Sequence, residues 1–226
     1  MSNVKVNGNT YNGVTSVKLA LADGTGYATY SEGMVTSDIT NDILSGSLSG
    51  DYENSEITRL NTSFLQHQNV GTLSFPNAVT MFGMSQTIVT AENLLLPKVA
   101  KIEYRNNTFC SFRTTITGVF DLSGIESVGS TLNQVFMGSK IETLKIGKMS
   151  PANMMFSNAT ITNLIWNNTD TTADKMGGAQ GLGCSGATFT NAYVPDGLYD
   201  EIKALMDAGT LTTVTNLYKI SEWSDE

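Results

Sequence analysis

Few residues in this chain could do chemistry, and they are scattered. His67 is the only histidine, and Cys110 and Cys184 lie far apart in the 226 residues. A Ser-His-Asp nucleophile would have to use His67 as its base. When FLQHQNVGTLSFP is set without a gap on VFMGSKIETLKIG, His67 falls opposite Gly138, between apolar positions, where a solvated turn residue is expected. The GCSG at 183–186 brings its second glycine one residue too early for a G-x-S-x-G nucleophile elbow. GGAQGLG at 177–183 lacks both the G-x-G-x-x-G order and a closing Lys-Ser/Thr, and reads as a loop. Asp38 with Asp42, or Asp170 with Asp174, could approach a cation, but no alternation of oxygen ligands surrounds either pair. Two cysteines make neither a disulfide framework nor a clustered metal site. The expectation is two free structural thiols and no catalytic, cofactor or metal site.

Composition narrows the partners. With 40% hydrophobic and 15% charged residues the chain can bury a sizeable core. Its formal charge of −8 disfavours phosphate backbones, and no cluster of Lys and Arg reverses that sign locally. Nucleic acid is not an expected partner. No apolar run of about 18 residues predicts membrane insertion. MSNVKVNGNTYNG lacks the basic start and apolar stretch of a secretory signal, so the expectation is a chain made as a soluble product. The N-x-S/T sequons at Asn61, Asn106, Asn158 and Asn167 follow from the abundance of Asn and Thr and carry no weight.

The elements that must position any site come from internal repetition. VFMGSKIETLKIG (Val135 to Gly147) and MFSNATITNLIWN (Met155 to Asn167) superpose with Val135/Met155, Phe136/Phe156, Ile141/Ile161, Leu144/Leu164 and Ile146/Trp166 in common apolar slots. FLQHQNVGTLSFP puts Phe64, Leu65, Val70, Leu73 and Phe75 in them, and GCSGATFTNAYVP puts Cys184, Phe189, Ala192 and Val194 there. Cys184 thus shares the slot of Phe136 and Phe156, where core burial explains it better than nucleophilicity. NLLLP (Leu94, Leu96) and GVFDLS (Phe120, Leu122) complete six units, whose second anchors fall 20 to 28 residues apart. Side chains two apart on a strand share a face. A period of that size is the mark of a solenoid, whose turns cannot cover their own apolar faces and must stack. The expected product is a row of parallel strands about 4.8 Å apart. Leu73, Leu94, Phe120, Leu144, Leu164 and Ala192 form one internal ladder. Phe75, Leu96, Leu122, Ile146, Trp166 and Val194 form the next. After three early anchors FPNAVTM, LPKVAKI and LSGIESV add Ala78/Met81, Val99/Ile102 and Ile125/Val128, which read as an apolar-rich turn.

Three segments follow. In residues 1–33, Asn7-Gly8 and Asp23-Gly24 are hairpin signals because both positions tolerate positive φ. They predict a small antiparallel β module of three or four strands, too small to stand alone. It either covers the first coil's open edge or attaches the chain to a partner. Residues 34–195 are the solenoid. Residues 196–226 are a cap: Asp196 as N-cap, Leu198, Ile202, Leu205 and Met206 at helical spacing, Gly209 as stop, then NLYKISEW as a strand and Ser221 to Glu226 as a charged, frayed end. The longest interval holds NNTDTTADKMGGAQGLG, and Asn167, Asn168, Asp170, Asp174 and Lys175 are its candidate ligand contacts, since loops on rigid scaffolds carry recognition. MFGMSQTIVTAE is a second candidate loop.

Hydrophobic-x-hydrophobic, then Pro or Gly, an apolar-rich turn, and a Phe before the next unit resembles leucine-rich repeats of the BspA type. The resemblance covers about Ser55 to Pro195, with SGDYENSEITRLNTSFL as an opening turn. The aromatic-small-x-Cys segment survives as NTFC, QVFMG, MMFSN and GLGC. VPDGLYDEIKALMDAG with YKISEW resembles the closing unit of many such proteins, and the N-terminal opening looks like those of phage structural proteins with these repeats. The resemblance implies a mainly β fold: a short right-handed leucine-rich-repeat solenoid of about six coils, one parallel strand each, between the β module and the helix-strand cap. It implies a non-enzymatic phage virion structural or display protein, in a tail, a fibre or on the capsid. Its N-terminal module would meet other virion proteins, its repeats a host surface protein or glycan, and copies could associate with one another. The alternative is a bacterial cell-surface leucine-rich-repeat adhesin. A glycan-active enzyme on a solenoid is the remote one, because it needs two carboxylates converging across a groove and the repeat register aligns no such pair.

Overall fold

The computed structural model describes residues 2–6, 9–14, 16–20, 27–31, 51–55, 58–61, 68–83, 86–87, 89–104, 111–128 and 133–225. Strands are numbered along the chain: β1 Ser2–Val6, β2 Asn9–Val14, β3 Ser16–Ala20, β4 Tyr27–Ser31, β5 Tyr52–Asn54, β6 Arg59–Asn61, β7 Gln68–Ser74, β8 Thr80–Gly83 and β9 Gln86–Thr87. They continue with β10 Val89–Leu95, β11 Lys101–Tyr104, β12 Ser111–Phe112, β13 Thr115–Leu122, β14 Ser127–Val128, β15 Lys140–Ile146, β16 Thr160–Trp166, β17 Thr188–Val194 and β18 Val214–Lys219. The helices are α1 Ala173–Gly177 and α2 Asp196–Asp207. The fold is mainly β. Its principal sheet has ten strands in the order β18-β17-β16-β15-β13-β10-β7-β5-β1-β2. Strands β7, β10, β13, β15, β16, β17 and β18 run parallel.

The register follows the repeat. Leu73 faces Leu94, Leu94 faces Phe120, Phe120 faces Leu144, Leu144 faces Leu164, and Leu164 faces Ala192. Leu217 of β18 extends this ladder by one strand. Phe75, Leu96, Leu122, Ile146, Trp166 and Val194 lie two residues further on, and all are buried. A slip of one residue would turn every one of these side chains out to water, so the apolar period itself holds the register. The fully buried indole of Trp166 is satisfied, donating from Nε1 to the Met149 carbonyl at 2.9 Å.

Opposite the sheet the units differ. The segments expected as turns after the early anchors contain strands of their own: β14, β11, β8 and β6 form a second parallel sheet, in which Met81 pairs with both Leu60 and Ile102, and Ile102 with Val128. The expectation of one strand per unit therefore fails in the first half. Leu60, Met81 and Ile102 stack as buried apolar side chains between hydrogen-bonding backbones, and stacked copies prefer a ladder to isolated turns. β9 and β12 make a further short parallel pair.

In the second half tight turns replace this sheet. Phe136 and Phe156 stack at 5.5 Å, with an interplanar angle of 11°. Phe112 stacks on Phe136 at 6.1 Å. The ring comes from Phe112, beyond the NTFC segment whose Cys110 lies outside the described residues. The turns bond carbonyl to amide between units: Phe136 N to Met155 O at 2.8 Å, and Gly138 N to Ser157 O at 2.9 Å. Gly138, Asn158 and Gly186 occupy one slot with φ of 70°, 57° and 70°. That left-handed conformation is open to glycine and tolerated by asparagine, and these two residue types fill it.

At the ends, β1 and β2 pair antiparallel, and β1 pairs antiparallel with β5 at the sheet's edge. β3 and β4 form a separate antiparallel pair. The hairpin signals Asn7-Gly8 and Asp23-Gly24 lie outside the described residues. At the other end the helix begins one residue earlier in role than the sequence suggests: Pro195 is the N-cap residue and Asp196 the first helical one, with no side-chain cap. Proline suits this boundary because its ring fixes φ and the orphan N–H is absent anyway. Gly209, at φ 71°, ends the helix. Ile202 is buried, and Leu198, Leu205 and Met206 pack on the core.

Candidate binding surface

The outward face of the parallel sheet is laid out in rows by the register. Thr90, Thr115, Lys140, Thr160 and Thr188 face one another across successive strands, and all are exposed. Two residues on, the unbroken pairing of β15, β16 and β17 aligns Glu142, Thr162 and Thr190, while the irregularity in β13 interrupts the row at Thr117. Strand alternation explains the layout, because Ile116, Ile141, Ile161 and Phe189 between the rows point inward and are buried. A surface groove of about 480 Å³ is lined by Thr115, Thr117, Lys140, Glu142, Thr160 and Thr162, with Ile116 and Ile141 beneath. Thr162 Oγ1 donates to Glu142 Oε2 at 2.9 Å. Hydroxyls that donate and accept, beside one ammonium and one carboxylate, make a polar surface suited to a hydroxyl-rich ligand.

A third row is structural. Asn93 Nδ2 donates to Thr72 Oγ1 at 3.0 Å, and its Oδ1 accepts from the Val119 amide at 2.8 Å. Asn191 Nδ2 donates to Asn163 Oδ1 at 2.8 Å, and Asn216 Nδ2 to Asn191 Oδ1 at 3.0 Å. Each residue stands immediately before a ladder residue, in the pairs Thr72-Leu73, Asn93-Leu94, Asn163-Leu164, Asn191-Ala192 and Asn216-Leu217. That recurrence is the available sequence signal, masked by the frequency of Asn and Thr throughout the chain. In β13 the slot holds an extra residue, Gly118. A Cβ there would stand 2.4 Å from Asn93 Oδ1, so no larger residue fits while the asparagine makes its bond.

The candidate loop after Trp166 is packed on one side and exposed on the other. Asn168 is buried; its Nδ2 donates to the Met149 carbonyl at 3.0 Å, and its Oδ1 accepts from the Asp170 amide at 2.9 Å. Asp170 pairs with Lys148 at 3.0 Å. Asn167, Asp174 and Lys175 are exposed. The segment contains α1, unexpected from its glycines, and buries Ala173, Met176 and Leu182. A Cβ on Gly177 would meet Leu205 at 2.7 Å, which shows how closely this turn approaches α2. The structure thus brings Asn168 and Asp170 together as loop anchors. Cys184 is free and buried; its thiol accepts from the Phe156 amide at 3.4 Å, and burial raises its pKa. His67, Asp38 and Asp42 lie outside the described residues, as does part of the MFGMSQTIVTAE segment. Among the described residues no group of three or more His, Cys, Asp or Glu is placed to hold a metal ion, and no helix is long and apolar enough to cross a membrane.

The tail departs most from its expectation. Of the segment from Ser221 to Glu226, expected to fray, residues 221–225 fold back across the outer face. Trp223 meets Tyr193 edge-to-face at 4.9 Å, and Tyr193 stacks on Tyr218 at 5.0 Å. Asp225 Oδ1 accepts from Lys145 Nζ at 2.5 Å and from Trp223 Nε1 at 3.0 Å. The Lys145 bond, then the Trp223 bond, lowers the Asp225 pKa below the usual carboxylate value. Asp196 helps to anchor the tail by accepting from the Ser221 amide at 3.2 Å, and the bonds to Ser221 lower its pKa. Aromatic contact and charge pairing together offset the entropy of ordering this segment.

Compared with protein-family models, curated proteins and solved structures, the chain matches none.

Proposed function

We propose that this chain is a non-enzymatic structural and display protein of a phage virion, a tail, fibre or capsid-associated element. The finer reading of the fold belongs to the same proposal: a right-handed leucine-rich-repeat solenoid of the BspA type. The observation that supports it most is the in-register stack of parallel strands, with apolar ladders inside and rows of Thr, Lys and Glu outside. Such a stack is rigid in one dimension and presents side chains at a fixed spacing of about 4.8 Å, a geometry suited to holding a surface toward a partner. The outer groove is the surface offered to a host protein or glycan, and the antiparallel strands at the other edge are the place for a neighbouring virion protein.

The test is mass spectrometry and immunogold labelling of purified particles. The chain is expected in the particle at a fixed copy number. Its absence from particles, with recovery from the bacterial cell surface, would overturn the proposal in favour of the adhesin.

A further inference from the structure

Ile165 points to the outer side of the sheet, yet it is only 7% exposed. The register places it in the row Lys145, Ile165, Tyr193, Tyr218. The tail touches this row on both sides of Ile165, through Trp223 on Tyr193 and Asp225 on Lys145. An apolar side chain, an aromatic one and a cation therefore lie in line beneath a single segment of the chain. The fit is incomplete. A cavity of about 470 Å³ remains, lined by Val119, Thr143, Lys145, Trp223, Ser224 and Asp225.

We propose that the row Lys145, Ile165, Tyr193 is a docking surface for an extended peptide of a partner protein, one with an aromatic side chain two residues ahead of a carboxylate. The chain's own Trp223-Ser224-Asp225 occupies it in cis as a competing strap. The seated tail defines the chemistry: an indole edge-to-face with Tyr193 and a carboxylate on Lys145, with the nearly buried Ile165 between the two in the row. The strap is held by contacts of the exchangeable kind. The Asp225 side chain is 70% exposed and that of Lys145 19%, so water reaches the pair from the Asp225 side and a partner carboxylate can take its place. A partner peptide binds only the open form, so its apparent affinity falls by the fraction of chain that is open. Opening the strap is then equivalent to switching the surface on. This inference is independent of the virion role: a chain absent from particles could still bind the peptide, and a virion protein could fail to.

The experiment uses the full chain carrying Trp223→Ala and Asp225→Ala, and a fluorescent peptide with the sequence of residues 219–226. Anisotropy is expected to show at least tenfold tighter binding to this open variant than to the natural chain. Adding Lys145→Glu, or changing the peptide's Trp to Ala, should remove the gain. A variant with an unchanged melting temperature that binds no better than the natural chain would overturn the proposal, as would equal binding of the Trp-less peptide. An independent reading needs no variant. Titrating the peptide into the natural chain should shift the amide signals of residues 145, 165, 193 and 223–225 together, and shifts confined to other residues would refute it. A doubled mass of the natural chain that the peptide does not disperse would assign the face to contact between whole copies, which also overturns it.

Discussion

The first and second halves of the stack share one sheet but close their units differently. From β6 to β14 the side opposite the principal sheet is a second parallel sheet, with Leu60, Met81 and Ile102 buried in it. Around β15 to β17 it is a set of tight turns stacked on Phe136 and Phe156. The two solutions bury similar apolar chains by different means, short backbone ladders in one and aromatic faces in the other. What the repeat preserves is the register of the principal sheet. The opposite side can vary as long as it is dry and its backbone is bonded.

That comparison can be broken at several points. Leu144→Asp strikes the shared ladder and should abolish cooperative folding, because it buries an unpaired charge; circular dichroism that retains a native melt would refute this. Phe156→Ala removes the keystone of the aromatic half. Its ring touches Phe136, Trp166 and Phe189, and the loss should be about 3–5 kcal/mol by denaturant titration. Ile102→Ala in the sheet-closed half should cost less, about 2–3 kcal/mol, since a smaller side chain leaves a smaller cavity. If Ile102→Ala cost more, the second sheet would be the stronger closure.

Smaller effects sharpen the contrast. Gly138→Ala puts a Cβ at positive φ in open space, so only backbone strain remains, and a loss of about 1–2 kcal/mol in the same titration is expected. The tail provides a test by pH. The pKa of Asp225 is lowered by Lys145, so its contribution is present above the ordinary Asp value and lost as pH falls through the lowered one. Charged or titratable groups beside the strap include Lys145, Tyr193 and Glu222. Acidification below about pH 4 should release Trp223 and change its fluorescence, whereas the range from about pH 5 to about pH 8 should leave it unchanged. Least of all, Glu142→Ala, on the exposed row, should shift stability by no more than about 0.5 kcal/mol.

Legibility in the sequence follows range. The alternating pairs Leu144-x-Ile146 and Leu164-x-Trp166 are local, and a repeat multiplies the signal, so a row of parallel strands is legible in the residues alone. The second sheet is not, because β8, β11 and β14 span two to four residues, too short for alternation to tell a strand from an apolar turn. The asparagine row is hidden because each Asn taken singly is an ordinary turn residue, and its meaning comes from bonds to the strands beside it. Asn168 resembles a loop ligand for the same reason, and its burial depends on Met149 lying beneath it.

Residue order alone dictates the sheet and its register, since a period-2 pattern repeated every 20 to 28 residues admits one alignment of strands that keeps the apolar side chains out of water. The course of the tail is a matter of tertiary packing. Asp225 meets Lys145 across 80 residues of chain. No local pattern encodes such a contact, because it exists only after β15, β16, β17 and β18 have stacked and set Lys145, Ile165 and Tyr193 in one line.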